Sequence, residues 1–233
     1  MKKLVFLLTG LIAVAVINAQ SLEEIVKNYS VAMKSDKLAG VTSIKISGKM
    51  SAMGMEMPMV MFMKNPDKIK VTYSFNGQDM VSVFDGEKGY MINPMMGSSD
   101  PVELTGDQLT QVQKNNAFRN ELFNYFKNGQ LTLEGQENVN DKPAFKLKAN
   151  VGSSPIYMFL DKESYMLVKT SVTVDQMGTS MNVDSYMTDY VDIDGVVMPK
   201  KTTAMANGME AAVITFDKIE VNIPMEDSVF KVK

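Results

Sequence analysis

The residues with the most distinctive chemistry are methionines. Met53, Met55, Met57, Met59, Met61 and Met63 take every odd position of one stretch, with Gly54, Glu56, Pro58, Val60 and Phe62 between them. Thioethers are soft and flexible, which suits them to two tasks: packing against apolar partners of variable shape and ligating Cu(I). Other chemistries are closed off by composition. The chain has no His and no Cys, which removes the imidazole that works near neutral pH, every thiol nucleophile and every Cys/His metal site. No Gly-x-Ser-x-Gly, phosphate-loop or zinc signature is present, so the residue types favour binding over catalysis. Asp189, Asp192, Asp194 and Gly195 bring carboxylates into one run, but their spacing is not that of a calcium loop, and Asp194-Gly195 reads as a hairpin turn.

The elements that must position the methionines follow from periodicity. A period of two is a strand, in which all six thioethers would share one face at intervals of about 7 Å. Methionine fits a pleated surface less well than β-branched or aromatic residues, so its repetition asks for a reason beyond strand formation. Pro58 lacks a donor and predicts an edge, a bulge or an open side at that point. The same alternation runs through Ile44 and Ile46 before this stretch, and through Ile69, Val71, Tyr73 and Phe75 after it. Asn76-Gly77, Asp85-Gly86, Asp194-Gly195 and Asn207-Gly208 mark hairpin turns. Beyond Gly129 the strands resume to Val221, and Met181, Val183, Ser185 and Met187 again share one parity.

Two segments break the pattern. Ser21-Leu22-Glu23-Glu24 is a capping-box sequence, and Leu22, Ile25, Val26, Tyr29, Ala32 and Met33 follow at helical spacing. Residues 93–101 read as a loop, after which Thr105-Gly106-Asp107-Gln108 opens a helical insertion carrying Leu109, Val112, Phe118, Leu122, Phe123 and Phe126. The reading is one up-and-down meander of about eleven antiparallel strands, interrupted by helices that pack on its concave face.

Lys2 and Lys3 precede the apolar run Leu4 to Ile17, and Ala19 closes it, which reads as a secretory signal peptide over residues 1–19. Residues 20–233 then form a single exported domain. A net charge of -3 and a pI near 5.2 argue against a surface that tracks nucleic-acid phosphates. Arg119 is the sole arginine, so forked anion-reading groups are scarce.

Several short motifs, in this order, carry a resemblance. Phe84-Asp85-Gly86 leads through Tyr90 to Asn93-Pro94 and then Val102 to Thr105; Asp194-Gly195-Val196 precedes Pro199; Asn222-Ile223-Pro224 precedes Ser228-Val229-Phe230. Together with the leader, the first helix and the interrupted meander, they make the chain similar to the LolA-like family of periplasmic outer-membrane lipoprotein carriers. The resemblance implies a mainly β (α+β) fold, a strongly curved antiparallel half-barrel with helices as a lid over a hydrophobic cavity. It further implies a periplasmic, monomeric carrier without cofactor that takes the acyl chains of lipoproteins or lipids and exchanges them with membrane-bound donor and acceptor proteins. That family closes its lid with an arginine on an early strand; here the early strands carry only lysines, and Arg119 falls in the inserted helix.

The expected cavity lining is Met53, Met55, Met57, Met59, Met61 and Met63, with Ile69, Val71, Tyr73 and Phe75 on the next strand and Leu109, Val112, Phe118 and Leu122 facing them from the insertion. The plain alternative is that these residues are ordinary core. A thioether Cu(I) protein and an envelope sensor domain on the same scaffold are the other readings.

Overall fold

Local sequence accounts for the first elements of the computed structural model, which describes residues 20–151, 154–176 and 179–232. The expected leader lies outside the described residues. Helix α1 (Leu22–Ala32) starts at Ser21, whose hydroxyl accepts the Glu24 N–H at 3.2 Å. Only half of the capping box forms, because the Glu24 carboxylate accepts from the Gln20 side chain, also at 3.2 Å. α1 buries Ile25, Val26 and Tyr29. Lys34, in the left-handed region, then leads into the single turn α2 (Ser35–Leu38), and its ammonium pairs with Asp192.

A first meander follows: β1 (Ser43–Ala52), β2 (Met55–Lys64), β3 (Lys68–Phe75), β4 (Gln78–Phe84), β5 (Gly89–Asn93) and β6 (Ser98–Leu104). The chain then passes through α3 (Gly106–Lys114) and α4 (Glu121–Lys127). A second meander comprises β7 (Leu131–Val139), β8 (Lys142–Ala149), β9 (Ile156–Asp161), β10 (Leu167–Gln176), β11 (Thr179–Ile193), β12 (Val196–Ala206) and β13 (Met209–Val221). All thirteen strands form one antiparallel sheet, in which β13 pairs with β1 and β6 and β7 are the free edges. The result is an open half-barrel. Its last strand is joined to its first, so the two edges are connected in sequence only by α3, α4 and their linker.

Thirteen strands stand where about eleven were expected. One difference is the segment 93–101, read as a loop, which contains a 3-10 turn (Pro94–Met96) and the start of β6. A polar run with a proline does not look like a strand, but an edge strand needs partners on one side only, so Pro101 is tolerated there. Asn76-Gly77, Asp194-Gly195 and Asn207-Gly208 have positive φ at both positions, as type I′ hairpins require. Asp85 instead opens a longer loop, its carboxylate accepting the Glu87 and Lys88 N–H groups at 2.9 and 2.8 Å.

Packing divides the concave face in two. On one half, Ile44, Ile46, Met59, Met63, Ile69, Val71 and Phe84 are buried together with Val112 of α3. Gly89 makes room for this helix, since a Cβ there would come within 2.5 Å of Leu109 Cδ1. On the other half, Ile25, Val26 and Tyr29 of α1 and Leu122 and Tyr125 of α4 pack on Phe145, Leu147, Met158 and Leu160.

The C-terminal 3-10 turn (Asp227–Phe230) is clamped against the first meander. Phe230 is buried, and the Asp227 carboxylate accepts from Lys64 at 2.6 Å and meets Lys68 at 3.0 Å. These two ammonium groups pull the Asp227 carboxyl down to about 2. A depressed folded-state value means that the stabilisation is complete above the ordinary carboxylate value of about 4 and is lost as pH falls toward about 2. The urea midpoint should therefore drop across that window, and Asp227→Asn should lower it at pH 6 while flattening the dependence between pH 4 and 2. An unchanged pH profile in the variant would show that the clamp contributes nothing.

Candidate functional site

Between the two half-cores the concave face is left uncovered by tight packing, and a cavity of about 440 Å³ lies there. Its floor is built by strands from the middle of the sheet. β1 supplies Ile46, β2 Met59, Met61 and Met63, and β3 Tyr73. From the other side come Met158, Met187, Tyr190, Val196 and Met198, with Ile214 and Phe216 of β13 between the two sets. Tyr29, Met33 and Leu38 cover it, together with Leu122 and the α3–α4 linker.

The expected lining residues separate into groups. Met59, Met61, Met63, Tyr73 and Leu122 line the cavity. Ile69, Val71, Leu109, Val112 and Phe118 belong to the adjoining half-core, where they pack with Met59 and Met63. Met57 is buried and Phe75 half-buried, both outside the cavity lining. Met53 and Met55 differ from the parity reading. Met53 occupies the first position of a hairpin turn with Gly54, at φ 51°, and is 93% exposed; β2 begins only at Met55, itself exposed. Pro58 sits on the open side that it predicts: it pairs with Lys49 of β1, while the pairing of β2 with β3 starts one residue later at Met59.

Met33, Met158, Met187, Met198 and Tyr190 also line the cavity, and of these only Met187 carries a parity signal in the sequence. Met187 and Tyr190 have opposite parity, yet both reach the cavity. Asp189, between them, has φ 56°, and a left-handed residue re-aims the side chains that follow it. Tyr190 then donates to the Leu167 carbonyl at 2.7 Å.

The mouth is polar, in contrast to the floor. Lys114, Asn115, Asn116, Arg119, Asn120 and Ser35 contribute to it. The linker is fastened to the sheet through a few bonds. Asn116, 1% exposed, donates to the Lys68 carbonyl at 3.3 Å and accepts the Phe118 N–H at 3.0 Å. The Ala117 N–H points at the Met63 sulfur at 3.2 Å, and Arg119 Nη2 meets Asp67 at 3.5 Å. Asn120 caps α4 by accepting the Phe123 N–H at 3.2 Å, and donates to Ser35 of α2 at the same distance. By contrast, Thr105 makes no side-chain cap to α3. Because Arg119 and Asp67 are both about one-third exposed, their ion pair contributes ~0–1 kcal/mol, less than the buried amide of Asn116.

Burial raises the three phenols of the cavity. Tyr29 is pushed up to about 12, and Tyr73 and Tyr190 are also raised. A general base or nucleophile needs the opposite shift, toward the working pH. The chemistry available here is packing and hydrogen bonding.

No protein-family model matches the chain, and no curated protein matches it at a significant level. Solved structures do. A DUF1329 family protein from Desulfovibrio piger superposes with a TM-score of 0.60 at 14% identity, over 89% of this chain and 97% of that one. A LolA superfamily protein from Nitrosomonas europaea gives 0.59 at 12% identity, over 92% and 99%. The fold is LolA-like. A domain named for outer membrane lipoprotein sorting, from Vibrio parahaemolyticus, gives the same TM-score and identity over 88% and 97%. The chain spans nearly the whole length of each of these neighbours, so the likeness is to the fold as a whole.

Asn116 offers a direct test of how the cover is held. Replacing it with Leu removes its bonds to the Lys68 carbonyl and the Phe118 N–H, and should cost about 1–3 kcal/mol, read as a lower urea midpoint. The linker amides at 115–120 should also exchange hydrogen faster than the strands beneath them.

Proposed function

We propose that this protein is an exported carrier that binds the acyl chains of lipids or lipoproteins in its methionine-lined cavity and hands them on toward the outer membrane. One observation carries the reading: seven methionines, Met33, Met59, Met61, Met63, Met158, Met187 and Met198, converge from separate elements on one covered cavity. Ordinary close packing would have filled such a space with Leu, Ile or Phe of fixed shape. Unbranched thioethers instead allow the walls to re-form around chains of differing length. Each methylene moved from water into the cavity contributes about 0.8 kcal/mol, so a few of them outweigh any single polar contact.

The polar mouth places cargo head groups where water reaches them. The cover is formed by α1, α2, α4 and the α3–α4 linker, and because the linker is fastened by few bonds, cargo exchange requires only local opening there. The LolA-like fold of the lipoprotein-sorting domain supports this reading. So does the leader-like sequence ending near Ala19, which makes residues 20–233 the mature, single-domain carrier. Exchange would then take place with membrane-bound donor and acceptor proteins, the carrier acting as a monomer.

The test is native mass spectrometry of the mature protein purified from its own cell envelope, with lipid extraction and metal analysis of the same preparation. Co-purifying acyl lipid or acylated protein is expected, and Met61→Asp should reduce it at least ten-fold by placing a carboxylate in the cavity floor. Stoichiometric copper without lipid would replace the carrier reading with a thioether metal site.

A further inference from the structure

The cavity has a capacity and a polarity, and both restrict what it accepts. A methylene group and a water molecule have similar volumes, roughly 30 Å³, so about 440 Å³ holds about fifteen carbons. That is one long acyl chain. The half-cores on either side are closed by α3 and by α1 with α4, so a second chain has no room unless the cover is displaced.

The charged residues at the mouth are net cationic, Lys114 and Arg119 against Glu121. Lys114 has no ion-pair partner among the described residues, and Asp67 engages Arg119 through Nη2 alone, leaving further donors on the fork. Glu121, the acidic group among the described lining residues, sits one turn before Tyr125 on α4 and offsets one of these two positive charges. The neighbouring amides of Asn115 and Asn120 are neutral and add donors. Arg119, the sole arginine of the chain, is among the residues that line this cavity.

We propose that the cavity takes one amphiphile at a time, with a single acyl chain of up to about fifteen carbons and an anionic head group held by Lys114 and Arg119. This rests on the acyl-carrier reading above and narrows its cargo to single-chain anions. A free fatty acid and a monoacyl phospholipid share that chemistry.

The test uses the unaltered mature protein, stripped of lipid, and titration calorimetry. Saturated carboxylates of eight to eighteen carbons, the matching alcohols, 1-myristoyl lysophosphatidylglycerol, a diacyl phosphatidylglycerol and a synthetic triacylated lipopeptide are compared. One carboxylate should bind per protein. Affinity should rise about four-fold per methylene and level off near fifteen carbons, and each carboxylate should bind at least ten-fold tighter than its alcohol. In a Lys114→Gln, Arg119→Gln double variant that ratio should fall to about one. A myristate affinity above that of the lysolipid would identify the fatty acid as the source, and the reverse order the phospholipid. Equal binding of alcohol and carboxylate, or tighter binding of the diacyl lipid or the lipopeptide, would overturn the proposal while leaving the carrier reading in place. Failure of every acyl ligand to bind would remove both.

Discussion

The structure depends on one constraint: a wide open sheet has an apolar concave face that must be shielded from water, and the chain has few helical residues with which to do it. Because β13 pairs with β1, the free edges β6 and β7 are linked in sequence only by residues 105–130. That segment has to cross the concave face. It covers one half with α3 and the other with α4, the latter reinforced by α1. Helices are rods, and rods laid on a curved surface do not fill it, so a gap stays open between the half-cores. The cavity is thus a consequence of topology before it is a feature of any side chain.

Side-chain choice then decides what kind of gap it is. Ile44, Ile69, Leu147 and Leu160 sit under the helices, where shape is fixed and branched residues fit. Methionine lines the cavity from β2, β9, β11 and β12. Much of it is shared with the half-cores: Met59, Met63 and Met198 are buried in the first and Met158 in the second. The Ala117 N–H at the Met63 sulfur ties the cover to the floor at that boundary. The linker brings polar groups to the rim, where Asn116 is satisfied by the Lys68 carbonyl and the Phe118 amide and so can be buried without penalty.

How far this was legible in the sequence varies with the signal each residue carries. Alternation identified the strands and the inward face of β2, since parity is a property of the backbone, and the type I′ turns at Asn76, Asp194 and Asn207 were marked by their residue types. Parity does not say where a strand begins. Met53 continues the pattern on paper, but it occupies a turn, and the Met53-Gly54 pair lacks the Asn or Asp that would have announced it. Nor does parity survive a left-handed residue, which is why Tyr190 arrives in the cavity unannounced beyond Asp189. Leu109, Val112 and Phe118 were read as facing the methionines, and they do pack with Met59 and Met63, but as part of a closed half-core. Helical spacing gives the apolar side of a helix and not its place across a sheet. The edge strand β6 carries no strand signal, because its sequence is shaped by the need for an edge to be polar and interrupted.

A core that keeps about 440 Å³ open among thioethers forgoes dispersion contacts that a close-packed core would have. The loss is spread over flexible side chains that partly collapse, which is milder than leaving the same volume among rigid branched ones. Any apolar chain entering the space restores those contacts, so binding and folding stability are linked, and the protein gains RT ln(1 + [L]/Kd) from its ligand. The linkage also acts on the cover. α3 has an N-cap without a side-chain bond and a linker fastened by Asn116, Ala117 and Arg119, and that linker borders the cavity directly. Filling the cavity gives Leu122, Tyr29 and the linker something to pack against, and therefore tightens the cover that must loosen for release. The contacts that favour entry of an apolar chain are the same ones that slow its escape.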